Sequence, residues 1–104
     1  MTKTKSVAAA VKVLQKKFPA ISGIKAGEEW GGSDYDRAIF LGNAAEGGEI
    51  EGIPAAEYYA YPTMDPQEKI WEGGIHRELI KALEDIGYFA EWNDPGTVFA
   101  WPID

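Results

Sequence analysis

The chain has 104 residues, no cysteine and a net charge of −7. We therefore predict one acidic domain, residues 1–104, without a disulfide framework, a thiolate nucleophile or a cysteine-ligated metal site. No apolar run approaches the ~18 residues that a membrane helix needs, and residues 1–11 lack the long apolar stretch of a signal peptide. We expect no membrane contact and a cytoplasmic location.

Charge is distributed unevenly along the sequence. Residues 1–25 carry six lysines and no acid, or +6, whereas the rest carries all 17 acids and four bases, or −13. The bulk of such a domain is a poor electrostatic match for nucleic acid, so we expect no direct nucleic-acid binding. It suits a protein partner with a basic surface.

The first predicted element is a helix, because apolar residues recur at helical spacing at Val7, Val11, Leu14 and Phe18. Ser6 or Thr4 can cap its start, and Pro19 ends it. Lys16 and Lys17 lie near its C-terminal end, where the helix dipole favours cations. These lysines indicate a solvated helix face, with a functional basic patch as the alternative.

Two strands are predicted next, at residues 21–25 and 35–41, joined by a loop at 27–34. Residues 42–64 read as irregular, because four glycines lie between positions 42 and 52. Pro54 could open a short helix within this segment. Residues 65–68 resemble a helix start, but two glycines follow soon after, so this stretch is either a short helix or extended.

The last part of the chain predicts a second long helix and a β-hairpin. Helical spacing links Ile75 to Ile86, and Gly87 supplies a C-terminal stop. Residues 88–92 and 97–101 alternate as strands around a turn at 93–96. The predicted fold is α+β: a small antiparallel sheet with two helices packed on one face, in the order α-β-β-loop-α-β-β.

The sequence offers little for catalysis. His76 is the only histidine, and no nucleophile or orienting group accompanies it in the sequence. We read it as an ordinary surface or helix-start residue and expect no enzyme. The glycine-rich loop at 46–52 has three carboxylates without EF-hand spacing, so we expect a solvated or protein-contacting loop and neither metal nor cofactor.

Aromatic residues are numerous and lie close to acidic ones. Tyr58 and Tyr59 belong to the irregular segment with Tyr61, while Trp30 and Trp71 adjoin glycine-rich turns. Tyrosine and tryptophan are frequent at binding hot spots, but they could equally pack beneath a long loop. Trp92 and Trp101, on the predicted hairpin, are expected in the core.

Two segments carry a resemblance: AEGGEIEGIPAAEYY at 45–59 and GYFAEWNDPGTVFAWP at 87–102. They resemble small proteins encoded by bacteriophages and mobile elements, over about a third of the chain, without a motif of assigned role. The resemblance implies a setting in which small acidic proteins block host defence, with anti-CRISPR proteins among them. It assigns no role to any single residue.

The leading hypothesis is an inhibitor that covers a basic nucleic-acid-binding surface of a larger protein, such as a bacterial defence complex, by imitating phosphates with carboxylates. A self-associating structural or adaptor module without catalytic activity is the alternative, and an enzyme centred on His76 ranks third. The protein is expected to be a monomer or a homodimer. The predicted contacts form two groups, the first in and after the acidic loop and the second near the first strand: Glu46, Glu49, Glu51, Glu57, Tyr58 and Tyr59, then Glu28, Glu29, Asp34 and Asp36.

Overall fold

The computed structural model of the protein describes residues 4–59, 65 and 67–103. These residues form three α-helices, two 3-10 helices and eight strands. In chain order the elements are α1 (Val7–Lys17), β1 (Ile24–Ala26), α2 (Gly27–Gly31), η1 (Gly32–Tyr35), β2 (Ile39–Leu41), η2 (Gly42–Ala45), β3 (Glu49–Ile50), β4 (Ile53–Pro54), β5 (Trp71–Glu72), β6 (Ile75–His76), α3 (Arg77–Asp85), β7 (Tyr88–Asp94) and β8 (Thr97–Pro102).

Four of the strands form the main antiparallel sheet, in the spatial order β1-β2-β8-β7. Strands β7 and β8 form the predicted hairpin around Pro95 and Gly96, with a register shift between Trp92 and Asp94. Two small hairpins, β3–β4 and β5–β6, lie outside this sheet. Because β7 is the last strand in the order β1-β2-β8-β7, it forms one edge of the main sheet.

Helices α1 and α3 pack on one face of the sheet and bury the main core. Ser6 caps α1 as predicted, since its hydroxyl accepts a hydrogen bond from the Ala9 N–H at 3.3 Å. Leu14 of α1 and Leu83 of α3 are fully buried. They belong to one cluster with Ile39, Leu41, Val98 and Ala100 of the central strands. Burying one such large aliphatic side chain contributes about 1.5–3 kcal/mol.

The opposite face of the sheet carries an aromatic cluster. Phe40 and Phe99 point to this face because they alternate with the core residues of β2 and β8. Trp30 of α2 stacks on Phe40 at 5.9 Å between ring centroids and meets Phe99 edge-on at 4.9 Å. Tyr35 of η1 lies 6.0 Å from Trp101. Aromatic pairs of this kind add about 0.5–1.5 kcal/mol each beyond area burial.

The segment before α1 is tied to the connection between α3 and β7. The Lys5 N–H donates to the Ile86 carbonyl at 3.0 Å, and the Tyr88 hydroxyl donates to the Lys5 carbonyl at 2.7 Å. Gly87 has a φ of 89°, and a Cβ there would lie 2.5 Å from the Cα of Thr4. Glycine is needed at this position both for its conformation and for the close approach.

The α+β class, the antiparallel sheet and the packing of α1 and α3 on one face are as predicted. The order of elements differs, because α2 and η1 occupy the predicted loop at 27–34 and α2 covers the other face. Tyr35 lies in η1, and Pro54 lies in β4 rather than at a helix start. Ile75, assigned by its spacing to the second helix, lies in β6. Residues 60–64, which include Tyr61, fall outside the described residues.

The turn of the β3–β4 hairpin contains a strained glutamate. Glu51 and Gly52 have φ values of 52° and 81° between the paired residues Ile50 and Ile53. Two positive φ values in a two-residue turn define a type I′ turn, in which asparagine is far better tolerated than glutamate at the first position.

We therefore predict that Glu51→Asn raises the free energy of unfolding by about 0.5–1 kcal/mol. Chemical denaturation of the parent protein and the variant measures the difference. Glu51→Gln is the control, because it removes the charge and leaves the unfavourable φ. A gain in Glu51→Gln as large as in Glu51→Asn would show that charge rather than backbone conformation is responsible.

Candidate protein-interaction surface

The second group of predicted contacts lies close together. Glu28 and Glu29 are in α2, Asp34 is in η1 and Asp36 follows it; all four are exposed. Of these, Asp34 lines a cleft with Tyr35 and Trp101 of the aromatic cluster. Asp36 faces the start of the chain, where it lines a shallow cleft with Lys5.

The acids of the first group do not form a single patch. Glu49 and Glu51 line a cleft with Lys17 and Phe18 at the end of α1, so a basic residue lies among them. Glu46 instead lies at the tip of the β7–β8 hairpin. Its carboxylate lies so close to Gly96 that a Cβ atom built on this glycine would be 2.5 Å from Oε1 of Glu46.

Tyr58 and Tyr59 pack beside the main sheet rather than on a free loop. The Tyr58 ring meets both Tyr59 and Trp92 edge-on, with centroids 5.1 Å apart in each pair. Glu57 orders this segment, because its N–H donates to the Gly74 carbonyl and its Oε1 accepts from the Tyr59 N–H. Tyr59 is 67% exposed, so the ring is held and yet accessible.

One cleft of about 260 Å³ combines acids with rings from the aromatic cluster. Asp34 and Glu91 line it, and Tyr35 and Trp101 supply aromatic walls. Among the described residues lining this cleft there is no lysine or arginine. Together with Glu46 and Asp94 at the adjoining hairpin tip, these residues are called the acidic hairpin surface: Asp34, Tyr35, Glu46, Glu91, Asp94 and Trp101.

A second cleft, of about 400 Å³, lies along the outer edge of β7. It is called the β7 groove and includes Glu72, Ile75, Ile80, Glu84, Ala90 and Glu91. Glu91 and Trp92 line both clefts, so strand β7 separates them. Glu84 and Glu91 were not among the predicted contacts, because only the pairing of β7 with β8 and its packing on α3 bring them to these clefts.

The carboxylate of Asp65 fixes the conformation of the segment that leads into β5. Its carboxylate accepts hydrogen bonds from the N–H groups of Lys69, Ile70 and Trp71 at 2.9–3.0 Å. The Trp71 indole in turn donates to the Pro54 carbonyl at 2.8 Å and fastens this segment to β4. Of the stretch predicted to be a short helix or extended, the described residues 67–70 form a loop around the Asp65 carboxylate that leads into the β5–β6 hairpin.

The hydrogen bond from the Trp71 N–H is the main cause that holds the pKa of Asp65 below its usual value. Desolvation acts in the opposite direction. The N–H groups of Ile70 and Lys69 and the positive charge of Arg77 lower the pKa further. Because the pKa is lower in the folded protein, ionised Asp65 stabilises the fold above its unfolded-state pKa, and this contribution is lost as the pH falls through its folded-state pKa.

We predict that Asp65→Asn destabilises the protein at neutral pH, because an amide cannot accept three N–H bonds as an anion does. The stability difference between parent and variant should shrink as the pH falls from about 4, the ordinary pKa of an unfolded aspartate, towards the lower pKa of Asp65 in the folded protein. Thermal melts at several pH values test this. A difference that is constant from neutral to acidic pH would contradict it.

His76 is the N-cap of α3, so its interpretation as a helix-start residue is confirmed, whereas the alternative of a surface residue is wrong because His76 is buried. Its Nδ1 accepts from the Glu78 N–H at 3.1 Å, and the backbone N–H of His76 donates to the Ala55 carbonyl. The Nε2 atom lies 4.0 Å from a Glu78 carboxylate oxygen. These contacts give the imidazole a structural role at the start of α3.

We expect His76→Ala to lower the free energy of unfolding by about 1 kcal/mol or more, as loss of an N-cap does, and to leave partner binding unchanged once the protein is folded. His76→Asn, which can still cap the helix, should recover part of this loss. Denaturation curves and a binding assay measure both properties. A stable His76→Ala variant without biological activity would instead point to a chemical role.

In the part of the chain that the structure describes, no group of three or more acidic or histidine residues is arranged to hold a metal ion. None of the helices described is both long and apolar enough to span a bilayer.

No protein-family model matches the sequence, and neither a curated protein nor a solved structure was found to be similar to the chain. The resemblance to phage-encoded inhibitors stays a prediction.

Proposed function

We propose that this protein is a small acidic inhibitor that binds a larger protein and covers a basic surface that would otherwise contact nucleic acid. The observation that carries the proposal is the acidic hairpin surface, where Asp34 and Glu91 share an aromatic cleft without a basic side chain among the described residues that line it. Within this proposal the partner is a bacterial defence complex, and the protein acts in the host cytoplasm.

Charge supports this choice of partner. Glu46, Asp34 and Glu91 are exposed, and the ion pairs among the described residues involve none of them. Their carboxylates can therefore pair with lysines and arginines of a partner without breaking an ion pair among the described residues. Complementary charge of this kind speeds association and selects a partner by sign.

The aromatic cluster supports a role in binding rather than mere solvation. Trp30 is 43% exposed although its ring is held by Phe40 and Phe99. A rigid, partly exposed ring loses little entropy on binding and can bury a large area. Carboxylates beside such rings fit arginine, which pairs with one group and stacks on the other.

Self-association is the second candidate, and the position of β7 at the sheet edge favours it. The acids beside this edge oppose it, because two copies would bring Glu84 and Glu91 of each chain near those of the other. Light scattering decides between the two candidates. A monomer at high concentration supports the inhibitor, and a stable dimer supports the structural module.

The proposal predicts that the double variant Asp34→Lys, Glu91→Lys weakens partner binding at least about tenfold, because two attractive charges become repulsive. The tagged protein is used to capture partners from bacterial lysate at low and at high salt. The captured complex is then assayed for nucleic-acid binding with and without the protein. We expect salt-sensitive capture and loss of nucleic-acid binding.

The matched control is Glu49→Lys, Glu51→Lys, which makes the same change in net charge beside Lys17 instead. It should bind nearly as the parent protein does. Equal losses in both double variants would show that only net charge matters. A captured complex that keeps its nucleic acid in the presence of the protein would contradict inhibition, even if it binds tightly.

A further inference from the structure

The hydrogen bonding of the β7–β8 hairpin determines which backbone groups of β7 are free. The Ile103 N–H donates to the Gly87 carbonyl at 2.9 Å, next to the directly opposed pair Tyr88 and Pro102. In an antiparallel ladder, hydrogen-bonded pairs alternate with pairs that are not hydrogen-bonded. The pairs that bond across the hairpin are therefore those containing Phe89 and Glu91.

Ala90 then presents its N–H and C=O groups to the outer side of β7, away from β8. Trp92 follows the same alternation. Strand β7 is the last strand of the sheet, and among the described residues no hydrogen bond beyond the ladder ends on the backbone of Ala90. This edge has the donors and acceptors that an additional strand would pair with.

The β7 groove gives this edge a specific chemical character. On the side of α3 its walls are apolar, with Ile75 and Ile80. Glu84 and Glu91 add carboxylates, and no lysine or arginine is among the described residues that line the groove. Arg77 and Lys81 line a neighbouring cleft with Ile80. Arg77 pairs with Glu72 of the groove at 3.2 Å and Lys81 pairs with Asp85 at 4.0 Å, whereas the ion pairs among the described residues include neither Glu84 nor Glu91.

We infer that the β7 groove binds an extended basic segment of the partner protein, which adds to the sheet as a fifth strand. In an added strand, alternate side chains face opposite sides. One set would contact Ile75 and Ile80, and lysines or arginines of the other set would reach Glu91. Backbone hydrogen bonds then supply affinity and the side chains supply specificity. This inference rests on the proposed function and names the part of the partner that is recognised.

The charge of the groove favours this occupant over a second copy of the chain. The segment that a second copy would offer is its own β7, which contains Glu91 and no basic residue in the range Tyr88–Asp94. An acidic strand added to an acidic groove is opposed by like-charge repulsion. A basic segment removes that repulsion and gains attraction.

The test uses a short synthetic peptide that alternates lysine and valine, with a glutamate–valine peptide of equal length as its control. Amide exchange of the intact protein is followed by NMR. We expect the lysine peptide to slow exchange of the Ala90 N–H at least about tenfold. The N–H groups of Phe89 and Glu91, which already bond to β8, should change little. The glutamate peptide should leave all three unchanged.

Ala90→Pro removes the outward N–H and should weaken binding of the lysine peptide at least about tenfold, while Ala90→Gly, which keeps the N–H, should not. Circular dichroism checks that each variant is folded, and the exchange measurement on the parent protein does not depend on either variant.

Three outcomes overturn the inference. These are no lysine-peptide binding, binding that leaves Ala90 exchange unchanged, and protection of Ala90 that rises with protein concentration without peptide, which would identify a second copy as the occupant. If Ala90→Pro captures the partner as well as the parent while Asp34→Lys, Glu91→Lys does not, the strand-addition inference fails and the proposed function stands. If that double variant also binds normally, the proposed function fails.

Discussion

Strand β8 must satisfy two different environments at once, and the rest of the structure depends on this constraint. Val98 and Ala100 face the helices, whereas Phe99 and Trp101 face α2 and η1. The small Ala100 leaves room for the helix side, while Phe99 is the centre of the aromatic side and is 1% exposed. Because side chains alternate along a strand, a shift of one residue in its pairing would exchange the two sets and disrupt both cores.

Because β8 is packed on both faces, the acids beside its outer face lie next to a rigid part of the sheet. The residues that hold the sheet together on its outer face are the rings that also form the walls of the cleft between Asp34 and Glu91. Carboxylates on mobile loops lose entropy when a partner orders them, whereas those next to a packed face lose less. Binding and stability therefore draw on the same aromatic residues here.

The sequence was informative where the structural signal is local. The spacing of apolar residues predicted α1, and alternation around Pro95-Gly96 predicted the β7–β8 hairpin, because both patterns come from nearby residues. Helix α2 has five residues and no apolar period, and it is held by the contacts of Trp30 with distant strands. Nothing local could predict it. Ile75 fitted the helical period but lies in β6, because His76 caps the helix one residue later.

For the candidate site too, only the features that depend on local sequence were predictable. That the acids would be exposed followed from their chemistry, and the structure finds Glu28, Glu29, Asp34 and Asp36 exposed. Which acids share a surface depends on the order of strands in the sheet, which brings Asp34 next to Glu91 and separates Glu46 from Glu49. Proximity of this kind requires the fold and cannot be read from spacing.

The distribution of the four tryptophans has an optical consequence. Trp71 is buried and hydrogen-bonded to β4, whereas Trp92 and Trp101 are half-buried beside the two clefts. Trp30 is exposed in the aromatic cluster. The indole of a buried tryptophan emits at shorter wavelength than that of a solvated one. Changes in intrinsic fluorescence on unfolding therefore include the exposure of Trp71, and changes on ligand addition report Trp92 and Trp101, which line the clefts. The chain contains its own fluorescent reporters for both processes, without a label.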